Sequence, residues 1–270
     1  MRYPEDLPQG NDKTVSKGRS MRVLITGADR PHCRLLVKKL VLAGHDVLAS
    51  GIDSTQLDAL ASQFGSKVHP LHIIEPTRHV AVREALTLLP EAWGSIDVLI
   101  NDATLALGTS LALDASLDDW DAMIDANCGA LVAMTEAVLV GMVARHAGTI
   151  LNLSAALELS PVKGDSVFGA TVAFVHQYTL GLIERTVGTN VRVSCIAPDR
   201  HGKAELLDLA NKYDLRSTAP QKREFIATDV DIIETIFWIA TLPAHINLNY
   251  LELAQTGELF SPRTIMQDGK

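Results

Sequence analysis

The sequence predicts an α/β fold: a doubly wound parallel sheet of about seven strands, covered by helices on both faces, in one domain. Three observations carry this. From Met21 onward short apolar runs alternate with longer amphipathic stretches, the pattern of repeated βα units. Most of the short runs are apolar throughout, as strands buried on both faces are. A chain of 270 residues with 47% hydrophobic content is also long enough to close one large core.

The elements follow in order. Strands are read at MRVLIT (21–26), DVLAS (46–50), KVHPLH (67–72), IDVLIN (96–101), TILNLS (149–154), VRVSCI (191–196) and NYLELA (249–254). Helical patterns lie between them at about 31–44, 54–64, 77–89, 117–144, 166–187 and 228–241. The first opens on Pro31, whose fixed φ suits a first helical turn. Gly44, Gly65, Gly94 and Gly148 punctuate the helix ends. A sheet built in this way places its ligand crevice at the carboxyl ends of the strands.

Composition narrows the functional classes. Lys and Arg total 24 against 32 Asp and Glu, a net charge of −8, which argues against a nucleic-acid partner because phosphate binding needs a basic face. Cys33, Cys128 and Cys195 are too few and scattered for a disulfide framework or a zinc site, so no metal is expected and a reducing cytoplasm is the expected compartment. No uninterrupted run of about 18 apolar residues is found, and no membrane partner is expected. Residues 1–20 mix Pro, Gly and both charges, which reads as a disordered leader and not a secretory signal, with 21–270 as the domain. Met21 is an alternative start.

Thr26-Gly27-Ala28-Asp29-Arg30-Pro31-His32-Cys33 at the end of the first strand resembles the TGxxxGxG nucleotide turn of the short-chain dehydrogenases. Asn101-Asp102-Ala103-Thr104 stands where that family has NNAG, and Asn127 where it keeps an Asn. ILNLSAALELS, VFGATVAFVHQYTLGL and VRVSCIAP follow with the family's spacing, and TLPAHINLNYLEL is similar to the 3-hydroxy acid (serine) dehydrogenase branch. The resemblance covers essentially 21–262. It implies a Rossmann-like fold and hydride transfer between NAD(P) and an alcohol or carbonyl, with Tyr as acid/base, Lys tuning it, Ser holding the substrate oxygen and Asn anchoring a water.

Against that pattern the site departs widely. Phe168 and Val172 occupy the Tyr and Lys positions and Ala155 the Ser position, leaving Asn127 alone of the four. Phe168 has no proton to exchange, and a positioned acid/base is worth about 10²–10⁴ in rate. Pro31 and Cys33 replace two glycines of the turn; Pro31 has no N–H, and Asp29 is expected to cap the helix in place of a bound anion. Ile52 stands where an Arg would hold a 2′-phosphate, Thr104 replaces a Gly, Asp199 follows Pro198 in place of a Gly, and Ala204 falls where relatives use a Thr. Gly27, Glu75 and Asn101 are the residual nucleotide-binding candidates. The expectation is therefore no cofactor, with weak NAD(P) binding left open.

Other residues have blander readings. Cys33 reads as a small buried filler. His69 and His72 point to opposite faces of a strand and do not form a metal pair. His176 reads as a packing residue, Trp93, Trp120 and Trp238 as fillers, and Asp165 and His201 as loop residues with a conceivable acid/base role. The leading expectation is a catalytically silent homologue acting as a subunit or scaffold. It would form a homo-oligomer, or a hetero-oligomer with an active paralogue, through the helices near 117–144 and 166–187. The alternatives are an NAD(P)-dependent oxidoreductase acting on a 3-hydroxy acid or small alcohol or carbonyl, and a redox-independent enzyme or sensor. The last would bind an apolar molecule against Phe168, Val172, Ala155, Leu157 and Leu105.

Overall fold

The computed structural model describes residues 19–107, 116–156, 166–198 and 228–254. Its strands are β1 (Arg22–Ile25), β2 (Asp46–Ser50), β3 (Val68–Leu71), β4 (Val98–Asp102), β5 (Gly148–Leu153), β6 (Val191–Pro198) and β7 (Tyr250–Leu253). They form one sheet in the order β3-β2-β1-β4-β5-β6-β7, every pair parallel. The helices are α1 (Pro31–Leu42), α2 (Ser54–Phe64), α3 (His79–Thr87), α4 (Leu117–Ile124), α5 (Ala130–Ala144), α6 (Ser166–Arg185) and α7 (Asp229–Ala240).

Alternation along the strands divides the core into two layers. Val23, Ile25, Val47, Ala49, Val98 and Ile100 pack with Leu36 and Leu40 of α1, Leu57 of α2 and Ile232 and Ile236 of α7. Leu24, Leu48 and Leu99, one residue out of phase, pack on the opposite face with Val82 of α3, Met134 and Met142 of α5 and Leu182 of α6. Because both faces are covered, β4 is buried at every position and β6 along all of its length. Arg192 of β6 is buried too, and its guanidinium donates to the carbonyls of Ile239 and Ala240, closing the C-terminus of α7.

The chain runs outward through β1, β2 and β3 and then returns to pair β4 with β1. That reversal opens a crevice above the carboxyl ends of β1 and β4. The β1–α1 turn is fastened over it by backbone bonds from Thr26 N–H to the Ile100 carbonyl and from Ala28 N–H to the Ser50 carbonyl. Gly27 makes the turn at φ +67°, a conformation that side-chain-bearing residues rarely adopt.

The helix expected at 117–144 is broken into α4 and α5 by a five-residue π turn, Asp125–Gly129. Such single-turn features are frequent at functional sites, and Asn127 is the buried residue within this one. Taken together, Leu117–Ala144 and Ser166–Arg185 are long and apolar enough by composition to cross a membrane. In the fold both helices pack on the sheet, and their outward faces leave Ile124, Val140, Phe174 and Leu180 exposed.

Candidate functional site

The β1–α1 turn and the end of β4 bring five polar side chains together at the crevice. Asp102, the last residue of β4, has a side chain with no exposed surface. Its Oδ2 accepts from Arg30 Nη1 at 3.1 Å, lies 2.8 Å from His32 Nε2 and accepts from Cys33 Sγ at 3.5 Å. Thr104 donates to its Oδ1 and accepts from Arg30 Nη1 at 3.0 Å. The Asp102 N–H in turn donates to Thr26 Oγ1. Burial alone would push the Arg30 pKa down, but the Asp102 carboxylate more than offsets this and holds it above the ordinary value.

Asp29 does something other than expected. Its carboxylate does not cap α1, where Arg30 is the N-cap and makes no side-chain capping bond. It reaches across to β2 and accepts from the N–H groups of Ile52 and Asp53 at 3.1 and 3.0 Å. A Cβ at Gly51 would collide with this carboxylate. Asp53 is then free to cap α2, accepting from Gln56 N–H. The side chain of Ile52 points to solvent.

The positions expected to carry proton transfer are dry. Ala155, Phe168 and Val172 are 5, 3 and 0% exposed and pack with Met123 of α4 into a closed apolar cluster, against which Leu107, Trp120 and Val167 lie. The neighbouring Ser154 hydroxyl donates to the Val172 carbonyl at 3.3 Å. Asn127, fully buried in the π turn, has its amide engaged throughout. Its Oδ1 accepts from Leu105 N–H, and its Nδ2 donates to the Leu105 carbonyl and to Thr171 Oγ1. It therefore ties the segment after β4 to α6 and leaves no side-chain N–H for a relay water.

The residual nucleotide candidates are scattered. Gly27 lies in the turn. Asn101 points away from the crevice, donating to Thr135 Oγ1 of α5 and Asn152 Oδ1 of β5, while Asn152 donates to Thr179 Oγ1 of α6. This buried polar ladder leaves Asn101 Oδ1 without a protein partner. Glu75 is exposed and paired with Arg78. Leu157, Asp165, Asp199, His201 and Ala204 lie outside the described residues.

Among the other singled-out residues, His69 stacks on Trp93 and His72 lies beside Asp58, so the two histidines are apart. His176 packs against Tyr250, and Trp238 is half exposed. The sequence reading missed His32, because nothing in its own neighbourhood foretells a carboxylate arriving from β4.

The comparisons with known proteins agree with the topology. The short chain dehydrogenase family model matches residues 21–202. The NADP-dependent 3-hydroxy acid dehydrogenase YdfG of Escherichia coli K12 is 38% identical over 234 residues, 86% of this chain and 94% of that protein. The serine 3-dehydrogenase of Agrobacterium fabrum is 33% identical over 240 residues, 88% and 95% of the two chains. Among solved structures, a closed form of serine dehydrogenase complexed with NADP+ superposes with a TM-score of 0.78 at 35% identity, covering 89% of this chain and 97% of that one. The serine dehydrogenase of Escherichia coli gives 0.73 at 36% identity, over 86% and 97%. Relatives named for NADP, and a neighbour holding it, overturn the expectation that the chain takes no cofactor; that expectation weighed the substituted positions of the turn, ribose and nicotinamide regions one by one and not the scaffold retained around them. A seven-stranded parallel sheet reversing between β1 and β4, a turn opening on Thr26-Gly27, and relatives aligned over nearly the whole domain place this chain in the short-chain dehydrogenase family.

Proposed function

We infer that the chain is an NAD(P)-dependent oxidoreductase of the 3-hydroxy acid dehydrogenase branch, acting on a 3-hydroxy acid or small alcohol or carbonyl, whose hydride transfer is slowed by the lack of a side-chain acid/base. The relatives' names and the NADP+-bound neighbour support the cofactor and substrate class. The observation that sets the rate is the closed cluster of Ala155, Phe168, Val172 and Met123.

The residues at the crevice fit the phosphate-bearing part of a dinucleotide. Gly27 keeps the tight turn, and the Arg30 guanidinium, one-fifth exposed at the start of α1, supplies a cation beside it. Pro31 contributes no N–H, and Asp29 and Asp102 add negative charge nearby, so binding is weaker than a glycine turn would give. When bound, the nicotinamide supplies the hydride donor or acceptor. The chain's own part is to hold and orient the reactants; proximity of this kind accelerates without proton transfer. The proton has to be exchanged with solvent, which costs about 10²–10⁴ in rate.

A second reading, a non-catalytic subunit, is favoured by the outward faces of α5 and α6. Val140, Phe174 and Leu180 are exposed there, beside the Phe174–Tyr178 stack and the Glu136–Arg185 pair. These faces suit a second copy or an active paralogue.

Equilibrium binding of NADPH and NADH, measured beside single-turnover reduction of 3-oxo acids, separates the readings. Saturable binding with turnover 10²–10⁴ below that of the Escherichia coli relative assayed in parallel is the expected result. Turnover equal to the relative's would mean that another group delivers the proton. Binding without any turnover, together with a stable complex on co-expression with an active paralogue, would favour the subunit reading. Absence of binding would overturn the cofactor assignment.

A further inference from the structure

We propose that His32, Cys33 and Asp102 form a binding site for a divalent transition-metal ion of the zinc type. The proposal is independent of whether hydride transfer occurs. The three donor atoms, His32 Nε2, Cys33 Sγ and an Asp102 carboxylate oxygen, all lie within 4.8 Å of one another. Imidazole, thiolate and carboxylate together are a zinc donor set, and ligand atoms held at about 2.0–2.3 Å from a tetrahedral ion lie roughly 3.5 Å apart. Cys33 Sγ is 3.5 Å from Asp102 Oδ2 already, and His32 Nε2 at 2.8 Å needs only a small withdrawal to admit the ion between them.

Two features make this more than a chance meeting of polar groups. Cys33 and Asp102, 69 residues apart in sequence, each replace a residue of the family's pattern, a Gly of the turn and the second Asn of NNAG, and the fold puts them against each other. The site is also built as metal sites are. Its ligands come from two rigid elements, the first turn of α1 and the end of β4, and two of the three are buried. The carboxylate is oriented from behind by Thr104, which donates to Oδ1 and is itself held by Arg30.

Arg30 shapes the behaviour of the site. It compensates Asp102 before the ion arrives, so binding exchanges part of that ion pair for metal ligation. On binding, the Cys33 thiol loses its proton to solvent and His32 ligates as the neutral imidazole, so affinity rises with pH. Three protein ligands leave a fourth position to water or a small anion, the arrangement of an open zinc site.

The test uses the full chain, stripped with chelator and titrated with Zn²⁺ by calorimetry and with Co²⁺ by absorption spectroscopy. One equivalent should bind, with the visible bands of tetrahedral cobalt and a thiolate-to-cobalt charge-transfer band. Cys33→Ser, nearly isosteric, should abolish that band, while Cys128→Ser and Cys195→Ser leave it intact. His32→Gln and Asp102→Asn should each weaken binding at least about 10-fold. No saturable one-equivalent binding, or binding that survives all three ligand variants, would overturn the proposal. The wild-type cobalt spectrum decides the thiolate contribution even if a variant fails to fold.

Discussion

Asp102 and Arg30, 72 residues apart in sequence, meet at 3.1 Å across the crevice between β1 and β4, the carboxylate fully buried and the guanidinium one-fifth exposed. The asymmetry of burial sets what each deletion costs. Arg30→Met removes the cationic partner of a buried carboxylate and should destabilise the fold by about 3 kcal/mol. Asp102→Asn leaves a guanidinium that can turn toward water and should cost about 1 kcal/mol. Urea unfolding of the two variants and of the double variant checks this, with the double variant costing less than the sum.

Asp29 and Gly51 form a second coupled pair. The carboxylate occupies the space a Cβ at 51 would need while binding the N–H groups of Ile52 and Asp53. Gly51→Ala should therefore cost about 1–2 kcal/mol in the native background by displacing that carboxylate. In an Asp29→Ala background the same change should cost clearly less. A double-mutant cycle by chemical denaturation reads the coupling, and additive effects would mean that the two side chains do not share the space.

The contrast between fold and site has a physical origin. Strands such as β4 and β6 are buried on both faces, so burial is written into contiguous residues and the sheet is readable along the chain. The helix at 54–64 is equally local, with Asp53 capping it and Gly65 at its end. That Ala155, Phe168 and Val172 carry no titratable group is plain in the sequence because it depends only on residue type. What Asp29, His32 and Asn127 do is not, since each acts on a partner brought by the register of another strand or by a π turn with no sequence signature. Asn127 is the clearest case: the resemblance suggests a role at the site, whereas its amide is committed to Leu105 and Thr171.

Stability should fall as the solution is acidified through the histidine range, and His45 is the group responsible. It is 6% exposed, its Nδ1 accepts from Met21 N–H, and burial lowers its pKa below the ordinary 6.5. Between the folded and the unfolded value the unfolded chain binds more protons, so unfolding free energy increases with pH there. The contribution is complete above about pH 6.5 and is lost progressively below it. Urea midpoints from pH 7.5 to 5.5 should show this fall in the wild type and a flatter profile in His45→Gln.

Restoring Ala155→Ser, Phe168→Tyr and Val172→Lys together should fail to give a relative-like dehydrogenase, for reasons of packing as much as chemistry. Val172 has no exposed surface and Phe168 is 3% exposed, within a cluster closed by Met123. A Lys ammonium there is a buried charge without a carboxylate partner among the described residues of the cluster, which costs several kcal/mol or forces the amine neutral. A neutral amine cannot lower the pKa of a neighbouring phenol, so the new Tyr would lack the tuning that its role demands. Asn127, its amide committed to Leu105 and Thr171, still offers no side-chain donor for a relay water. The triple variant should melt several degrees lower than the wild type and gain less than about 10-fold in single-turnover reduction, against the 10²–10⁴ that a working acid/base provides. Recovery of the full factor without loss of melting temperature would show that the cluster opens readily and that the supporting residues are already competent.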